Sequence, residues 1–342
     1  MKLKIAILAP IAWRTPPKKY GPWELVASNL TEGLVKRGFD VTLFATANSI
    51  TKAKLHAICP MGYEENKNIE PEVWKFLHIS EVFERAEDFD IIHNHFDYPP
   101  LAFSKLIKTP VLTTIHGFSS PKIIPIYKKY TDNVYYVSIS NSDRHPDLKY
   151  IDTVYNGINL KDFTFIPEKG NYLVFLGRIC HEKGVYQAIQ IAKKSNKKLK
   201  IAGIIQEPEY YKKFVKPFID NKKIYFLGLI TNNERNELLG NAIALLHPVQ
   251  NPERFGLVMA EAMACGTPVI GFDLGSVSEI VEHNKTGFVV DNINEAVEYI
   301  EKIDLIDRSD CRKRVENHFS IDNMVTNYIR IYEKILSIEN AK

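Results

Sequence analysis

Cysteine is scarce. Only Cys59, Cys180, Cys265 and Cys311 occur in 342 residues, and no two stand at the close spacing of a zinc knuckle or a redox pair. A disulfide framework is not expected, and four reduced thiols in a cytosolic protein are. Long apolar runs are missing too: none approaches the ~18 residues that a membrane-spanning helix needs. Two lysines followed by residues 5–13 give the start of the chain a faint look of a signal peptide, but Pro10 interrupts the run and Arg14, Lys18 and Lys19 soon follow. A buried first strand is expected there. Neither sign of charge dominates, since 44 Lys and Arg against 41 Asp and Glu leave +3, with both halves near neutral. A dedicated nucleic-acid binder concentrates basic charge, so none is expected. There is no short repeat, no low-complexity segment and no GxGxxG dinucleotide fingerprint.

What is present is an ordinary globular composition, 45% hydrophobic and 25% charged, and a length that suggests about two domains. Short apolar runs alternate with longer helical patterns. In the first half, strands are predicted at 4–8, 41–45, 90–93, 111–114, 134–138 and 153–155, helices at 23–37 and 72–86, and irregular chain from 46 to about 71. The pattern restarts after Pro167-Glu168-Lys169-Gly170. Strands are predicted at 172–176, 199–202, 224–227, 244–246 and 268–271, with helices at 185–195, 209–219, 232–241 and 255–264. A short helix follows Ser276, and helical patterns run from Asn294 to the end. The strands lack strict alternation, which predicts parallel sheets covered by helices on both faces. The expected fold class is α/β, with two doubly wound Rossmann-like domains facing a cleft and ligands at the carboxyl ends of the strands.

The stretch from Glu253 to Pro268 is the most informative. Residues 257–265 read as an apolar, nearly all-buried helix with one carboxylate, Glu261, in the middle. A buried carboxylate without partners costs several kcal/mol. Hydroxyls of a ligand sugar ring would serve it, and so would an arginine in the core. Glu253 stands just before the helix, where it would either meet a ligand or simply complement the helix dipole. The first amides, near Phe255, Gly256 and Leu257, lack intrahelical acceptors and suit polar or anionic ligand atoms, with Gly256 allowing close approach.

Three further groups stand out. Gly177-Arg178 and Glu182-Lys183-Gly184 lie between a strand and a helix, where a guanidinium and an ammonium suit a diphosphate; a solvated charged loop has the same composition. At the first strand-to-helix turn, Gly21 in Tyr20-Gly21-Pro22-Trp23-Glu24 would let a phosphate approach the backbone, or Pro22 simply opens the helix. His93 and His95 end one strand on the same side, and His116-Gly117 ends another. Even with Asp97 nearby they show no known zinc-ligand spacing, which leaves structural histidines or metal-free contacts to sugar or phosphate. Asn156-Gly157-Ile158-Asn159 reads as a turn with Gly157 at positive φ.

In this order and separation, the stretches resemble the retaining family-4 glycosyltransferases with the GT-B fold (glycosyl transferases group 1). The most specific part is Glu253 and Glu261 around Phe255-Gly256-Leu257, followed by Ala264-Cys265-Gly266-Thr267-Pro268-Val269. The resemblance implies an acceptor-side domain over 1–168, a nucleotide-sugar-binding domain over 169–320, and a last helix within 321–342 that crosses back. It implies a hexosyltransferase moving glucose or mannose from a nucleoside-diphosphate sugar to a hydroxyl on a sugar, small molecule or lipid-linked carrier, with no cofactor and no metal. Arg178 and Lys183 would grip the diphosphate, Glu261 the ribose hydroxyls, and Glu253 with the amides from Phe255 to Leu257 the donor sugar. Gly21 would lie against the phosphate or the acceptor, and His116 near the reacting carbon. His116, Glu253, Arg178 and Lys183 are the catalytic candidates.

The chain departs from the family where a glycine pair is replaced by Gly21-Pro22 and Trp23 precedes Glu24. A sugar-nucleotide epimerase and a non-catalytic nucleotide-sugar-binding protein are the alternatives. A phosphorylase would usually bring a pyridoxal-phosphate lysine and a longer chain. Lys105, Lys108, Lys122, Lys128 and Lys129 flank apolar residues, which suits either a solvated basic face or peripheral contact with the inner membrane face. A cytoplasmic location is expected, and the sequence leaves the oligomeric state open.

Overall fold

Seven short strands pair into one parallel sheet: β1 (Lys4–Leu8), β2 (Asp40–Phe44), β3 (Lys54–His56), β4 (Ile91–Asn94), β5 (Val111–Ile115), β6 (Val134–Ser138) and β7 (Tyr150–Thr153), in the order β3-β2-β1-β4-β5-β6-β7. Six more make a second: β8 (Tyr172–Leu176), β9 (Lys198–Ala202), β10 (Ile224–Gly228), β11 (Ala244–His247), β12 (Val269–Phe272) and β13 (Gly287–Val290), in the order β10-β9-β8-β11-β12-β13, again all parallel. β4, β5, β11 and β12 are buried along their whole length, as strands covered on both faces must be. Strand order reverses between β1 and β4 and between β8 and β11. Such switch points are where doubly wound sheets bind ligands.

The computed structural model describes residues 2–18, 20–118 and 120–341. The chain divides into two units, residues 1–157 with 321–342, and residues 158–320. The division falls at 157/158 rather than at the expected 168/169 because the intervening residues bond to the second unit. The Ile158 amide meets Phe319 O at 2.9 Å, the Ile166 amide meets Cys265 O at 3.0 Å, and Arg312 holds Phe163 O at 2.9 Å. Helix Ile321–Asn340 belongs to the first unit, with Tyr328 and Tyr332 fully buried there. Gly33, on helix Pro22–Lys36, brings the two helices together: a Cβ there would lie 2.4 Å from Val325 Cγ2.

Several predicted elements need correction. The last strand of the first half lies at Tyr150–Thr153, not 153–155, and β3, β13 and helix Ile124–Tyr130 were not expected. The predicted helix at 209–219 breaks into a turn at Pro208–Tyr210, a π-helical stretch at Tyr211–Val215 and a 3₁₀ turn at Lys216–Phe218. Pro217, which has no amide hydrogen, forbids a regular continuation.

Candidate active site

In the second unit, β8 delivers Arg178 to the carboxyl edge of the sheet. The chain keeps pairing past Leu176: the Gly177 amide bonds Ala202 O at 3.1 Å and the Ile179 amide bonds Ile204 O at 2.8 Å. The Arg178 guanidinium donates to Gln206 Oε1 at 2.7 Å and pairs with Glu182. One turn later, Gly184 starts helix Val185–Lys194 at φ 73°, and a Cβ there would sit 1.8 Å from Pro248 O. Only glycine lets this turn press on the chain leaving β11, where the Gln250 amide also meets Glu182 O at 2.7 Å. That close approach brings Lys183 Nζ to 2.6 Å from Glu253 Oε2.

Glu253 is held from all sides. Its Oε2 also lies 3.0 Å from His247 Nε2, and its Oε1 accepts the Arg254 amide at 3.1 Å. Its backbone amide donates to Leu274 O at 3.2 Å, and its carbonyl accepts the Ser276 amide at 2.9 Å. Burial works to raise the carboxyl's pKa, but the His247 hydrogen bond and the Lys183 charge outweigh it and hold Glu253 well below the usual carboxylate range. A fixed, ionised acceptor therefore stands between β11 and the next helix.

That helix runs Leu257–Ala264, so Phe255 and Gly256 precede its first turn rather than opening it. Gly256 is its cap at φ 75°, and a Cβ there would fall 2.5 Å from Met259 Cε. The Phe255 ring is buried edge-on against Phe319. Glu261 has an arginine beside it: Arg235 Nη1, on helix Asn232–Gly240, is 2.9 Å from its Oε1. Burial still raises the Glu261 pKa, with Arg235 offsetting it in part.

The first unit gathers a different set. Gly21 has φ 144°, and its Cβ position is crowded by Glu24 Oε2 and Pro17 Cβ, both at 2.9 Å, and by Trp13 Cδ1 at 3.1 Å. Glu24 is buried, accepts the Trp13 amide at 3.2 Å, and has its pKa pushed up by burial to about 7. The Trp23 ring stacks on His116 at 5.5 Å and 21°. His116 Nε2 is 2.9 Å from His95 Nδ1. His93 has both ring nitrogens engaged, Nδ1 with Tyr332 Oη and Nε2 with Thr114 Oγ1, each at 2.7 Å, and Thr114 Oγ1 also meets Tyr328 Oη at 2.8 Å. Burial lowers His116 to about 3 and His93 and His95 well below their ordinary value, so all three are neutral near pH 7.

Asp97 is bonded to Tyr127 instead of facing the histidines, and among the described residues no three His, Cys, Asp or Glu side chains are grouped to hold a metal ion. Gly157 is not at positive φ: its amide meets Met324 Sδ at 3.1 Å and its carbonyl accepts Asn29 Nδ2 at 3.2 Å. Lys105 and Lys129 lie against the Tyr130 ring, and Lys128 pairs with Asp147. Among the described residues no helix is long and apolar enough to cross a membrane.

Sequence reasoning missed His247, Arg235 and Gln206, and named Glu182 without giving it a role. His247 had a usable signal, because it follows a predicted strand directly, as His93 and His116 end theirs. Arg235 had none, since nothing in a polar helix marks its one arginine as turning inward.

Two family models match the chain: "Glycosyltransferase Family 4" over residues 24–162 and "Glycosyl transferases group 1" over residues 158–318. An uncharacterized glycosyltransferase of Methanocaldococcus jannaschii is 23% identical, across 95% of this chain and 97% of that protein. The N-acetyl-alpha-D-glucosaminyl L-malate synthase of Bacillus anthracis is 25% identical, across 98% of both. Among solved structures, Anabaena HepE in complex with UDP and glucose superimposes with a TM-score of 0.72 at 18% identity, covering 97% of this chain and all of the other. The first model takes in most of the sheet headed by β1, the second the whole sheet headed by β8 with Arg178, Lys183, Glu253 and Glu261, and the chain is accordingly a glycosyltransferase of group 1, family 4, with the GT-B fold.

Proposed function

We propose that the chain transfers a hexose, glucose or mannose, from a nucleoside-diphosphate sugar to a hydroxyl acceptor, with retention at the anomeric carbon and without a metal. The observation that carries this reading is Lys183 paired with an ionised Glu253 at the carboxyl ends of β8 and β11, with Arg178 on the same strand-to-helix turn as Lys183. Anabaena HepE, which shares the fold, has been solved with UDP and glucose, and this supports a sugar-nucleotide donor.

The chemistry follows from where charge develops. As the glycosyl–phosphate bond breaks, positive charge grows on the sugar and negative charge on the departing diphosphate. Arg178 and Lys183 retain donors beyond those given to Glu182 and Glu253, since a guanidinium has five N–H groups and an ammonium three. Preorganised cations of this kind stabilise the leaving group without a metal. The acceptor oxygen bonds to the anomeric carbon on the face the diphosphate leaves, and its proton passes to the leaving phosphate oxygen. No protein nucleophile is required. Glu253 and the backbone at Gly256 and Leu257 orient the donor sugar and Glu261 takes the ribose hydroxyls; the family resemblance assigns the neutral His116 to the reacting carbon.

A thermal-shift panel of UDP, GDP and ADP and their hexose conjugates, followed by product analysis with labelled donor, tests the reading. The correct base stabilises by mass action, and the label should appear on an added acceptor with its anomeric configuration kept. An inverted anomer would refute retention. An isomerised nucleotide sugar, or binding without turnover, would refute the transferase reading of this site.

A further inference from the structure

Glu253 Oε2 has two donors, Lys183 Nζ at 2.6 Å and His247 Nε2 at 3.0 Å. Lys183 is also one of the two cations assigned to the donor diphosphate. A lysine ammonium is a compact charge on a flexible stem, and when it shares its donors with a phosphate its hold on the carboxylate loosens. His247 is not one of the groups assigned to the diphosphate. It ends β11, which lies between β8 and β12, and it is 5% exposed against 8% for Glu253. An ionised carboxylate only accepts, so His247 carries its proton on Nε2. Gly256 closes the arrangement: a Cβ there would lie 3.2 Å from Glu253 Cγ and 3.5 Å from His247 Nε2.

We propose that His247 is a positioning residue for glycosyl transfer, whose Nε2–H holds the Glu253 carboxylate in place while Lys183 turns to the donor diphosphate. The proposal rests on the reading of Glu253 as a donor-sugar contact. His247 touches no substrate here; it acts through Glu253. Its loss should therefore depress turnover and leave nucleotide affinity almost untouched, because Arg178 and Lys183 are unchanged.

The test compares full-length His247→Ala, His247→Gln and Glu253→Gln with the parent chain. The probes are the best donor from the sugar-nucleotide panel and its free nucleoside diphosphate. His247→Ala should lower kcat about 10- to 100-fold, the scale of a small misplacement at a reacting centre, with diphosphate affinity within about 2-fold. His247→Gln, whose side-chain amide can donate to the same oxygen, should recover most of that loss. A purely structural role would not give this rescue. If the Ala variant does not fold, His247→Leu fills the space without a donor and should behave as Ala would. Carbon-13 NMR of the Glu253 carboxylate should show its titration moving up in the Ala or Leu variant. An unchanged kcat in a folded Ala or Leu variant overturns the proposal, as does a Gln variant no better than Ala. If Glu253→Gln itself keeps full turnover, the reading of Glu253 fails instead, so the two failures are distinguishable.

Discussion

Replacing Glu261 by Gln separates a core carboxylate from a ligand contact. The substitution keeps the size, removes the charge and weakens the bond to Arg235, now 2.9 Å long between side chains 7% and 22% exposed. Cutting a fully buried pair costs about 3–5 kcal/mol, most of it from the charge left behind. Here the charge left behind is Arg235, which keeps some access to water and lies over the Phe163 ring, and burial already disfavours ionised Glu261. A smaller loss of about 1–2 kcal/mol is therefore expected, about 2–8 °C in the melting of a unit this size. If Glu261 also accepts the ribose hydroxyls, the exchange removes a charge-assisted bond worth about 1.5–3 kcal/mol. Affinity for the free nucleoside diphosphate then falls about 10- to 100-fold. Thermal denaturation without ligand and calorimetric titration with the diphosphate read the two effects separately. A destabilised variant that binds nucleotide normally would make Glu261 a core carboxylate and nothing more. A variant unchanged in both would refute the pairing with Arg235 as well.

Arg178→Ala should cost about 10²-fold in kcat/KM, whereas Glu182→Gln, by freeing the guanidinium of its part-exposed acidic partner, should tighten diphosphate binding by up to about 5-fold; weaker binding in the Gln variant would contradict the assignment. Turnover should survive exhaustive chelation, and activity lost to a chelator and restored by stoichiometric zinc would overturn the metal-free chemistry. Stability should fall as pH drops from 7.5 to 5.5. The unfolded chain protonates its histidines below the ordinary 6.5, while folded His78 resists to about 4, His116 to about 3, and His93 and His95 also stay neutral. Each then removes about 1.4 kcal/mol per pH unit below 6.5. Buried carboxyls act the other way: Glu24, raised from 4.5 to about 7, Asp97, raised from 3.8 to about 6 and so titrating only at the acid end of the window, and Glu261, also raised, but the four histidines together outweigh them. A urea midpoint that does not change over that range would refute this.

The elements read correctly from sequence are those whose signal is local. Residues 4–8, 134–138 and 172–176 were predicted with the bounds the structure has, because each is an apolar run lying inside its sheet. β3 and β7 sit at the two edges of the first sheet, are largely exposed or half-buried, and so lack that run. At the site, glycine and charge spacing singled out Arg178, Lys183, Glu253 and Glu261. Their partners were not legible, because pairing is a matter of tertiary distance: Lys183 and Glu253 are 70 positions apart, and Arg235 and Glu261 are 26 apart. The arginine weighed as one partner for Glu261 could be expected as a residue type but not placed.

The first unit is not a continuous piece of chain. Its buried histidine layer is completed by Tyr328 and Tyr332, and Gly33 of its first helix is shaped to receive Val325. Residues 158–320 come between, and they fold as a unit of their own. On a ribosome adding about 5–20 residues per second, the amino-terminal sheet therefore waits on the order of 10 s for the helix that seals it. During that interval the apolar surface of helix Pro22–Lys36 that Val325 will cover faces water. The carboxyl-terminal unit, although synthesised later, has its whole sequence in hand first, so the order of synthesis and the order of completion are reversed.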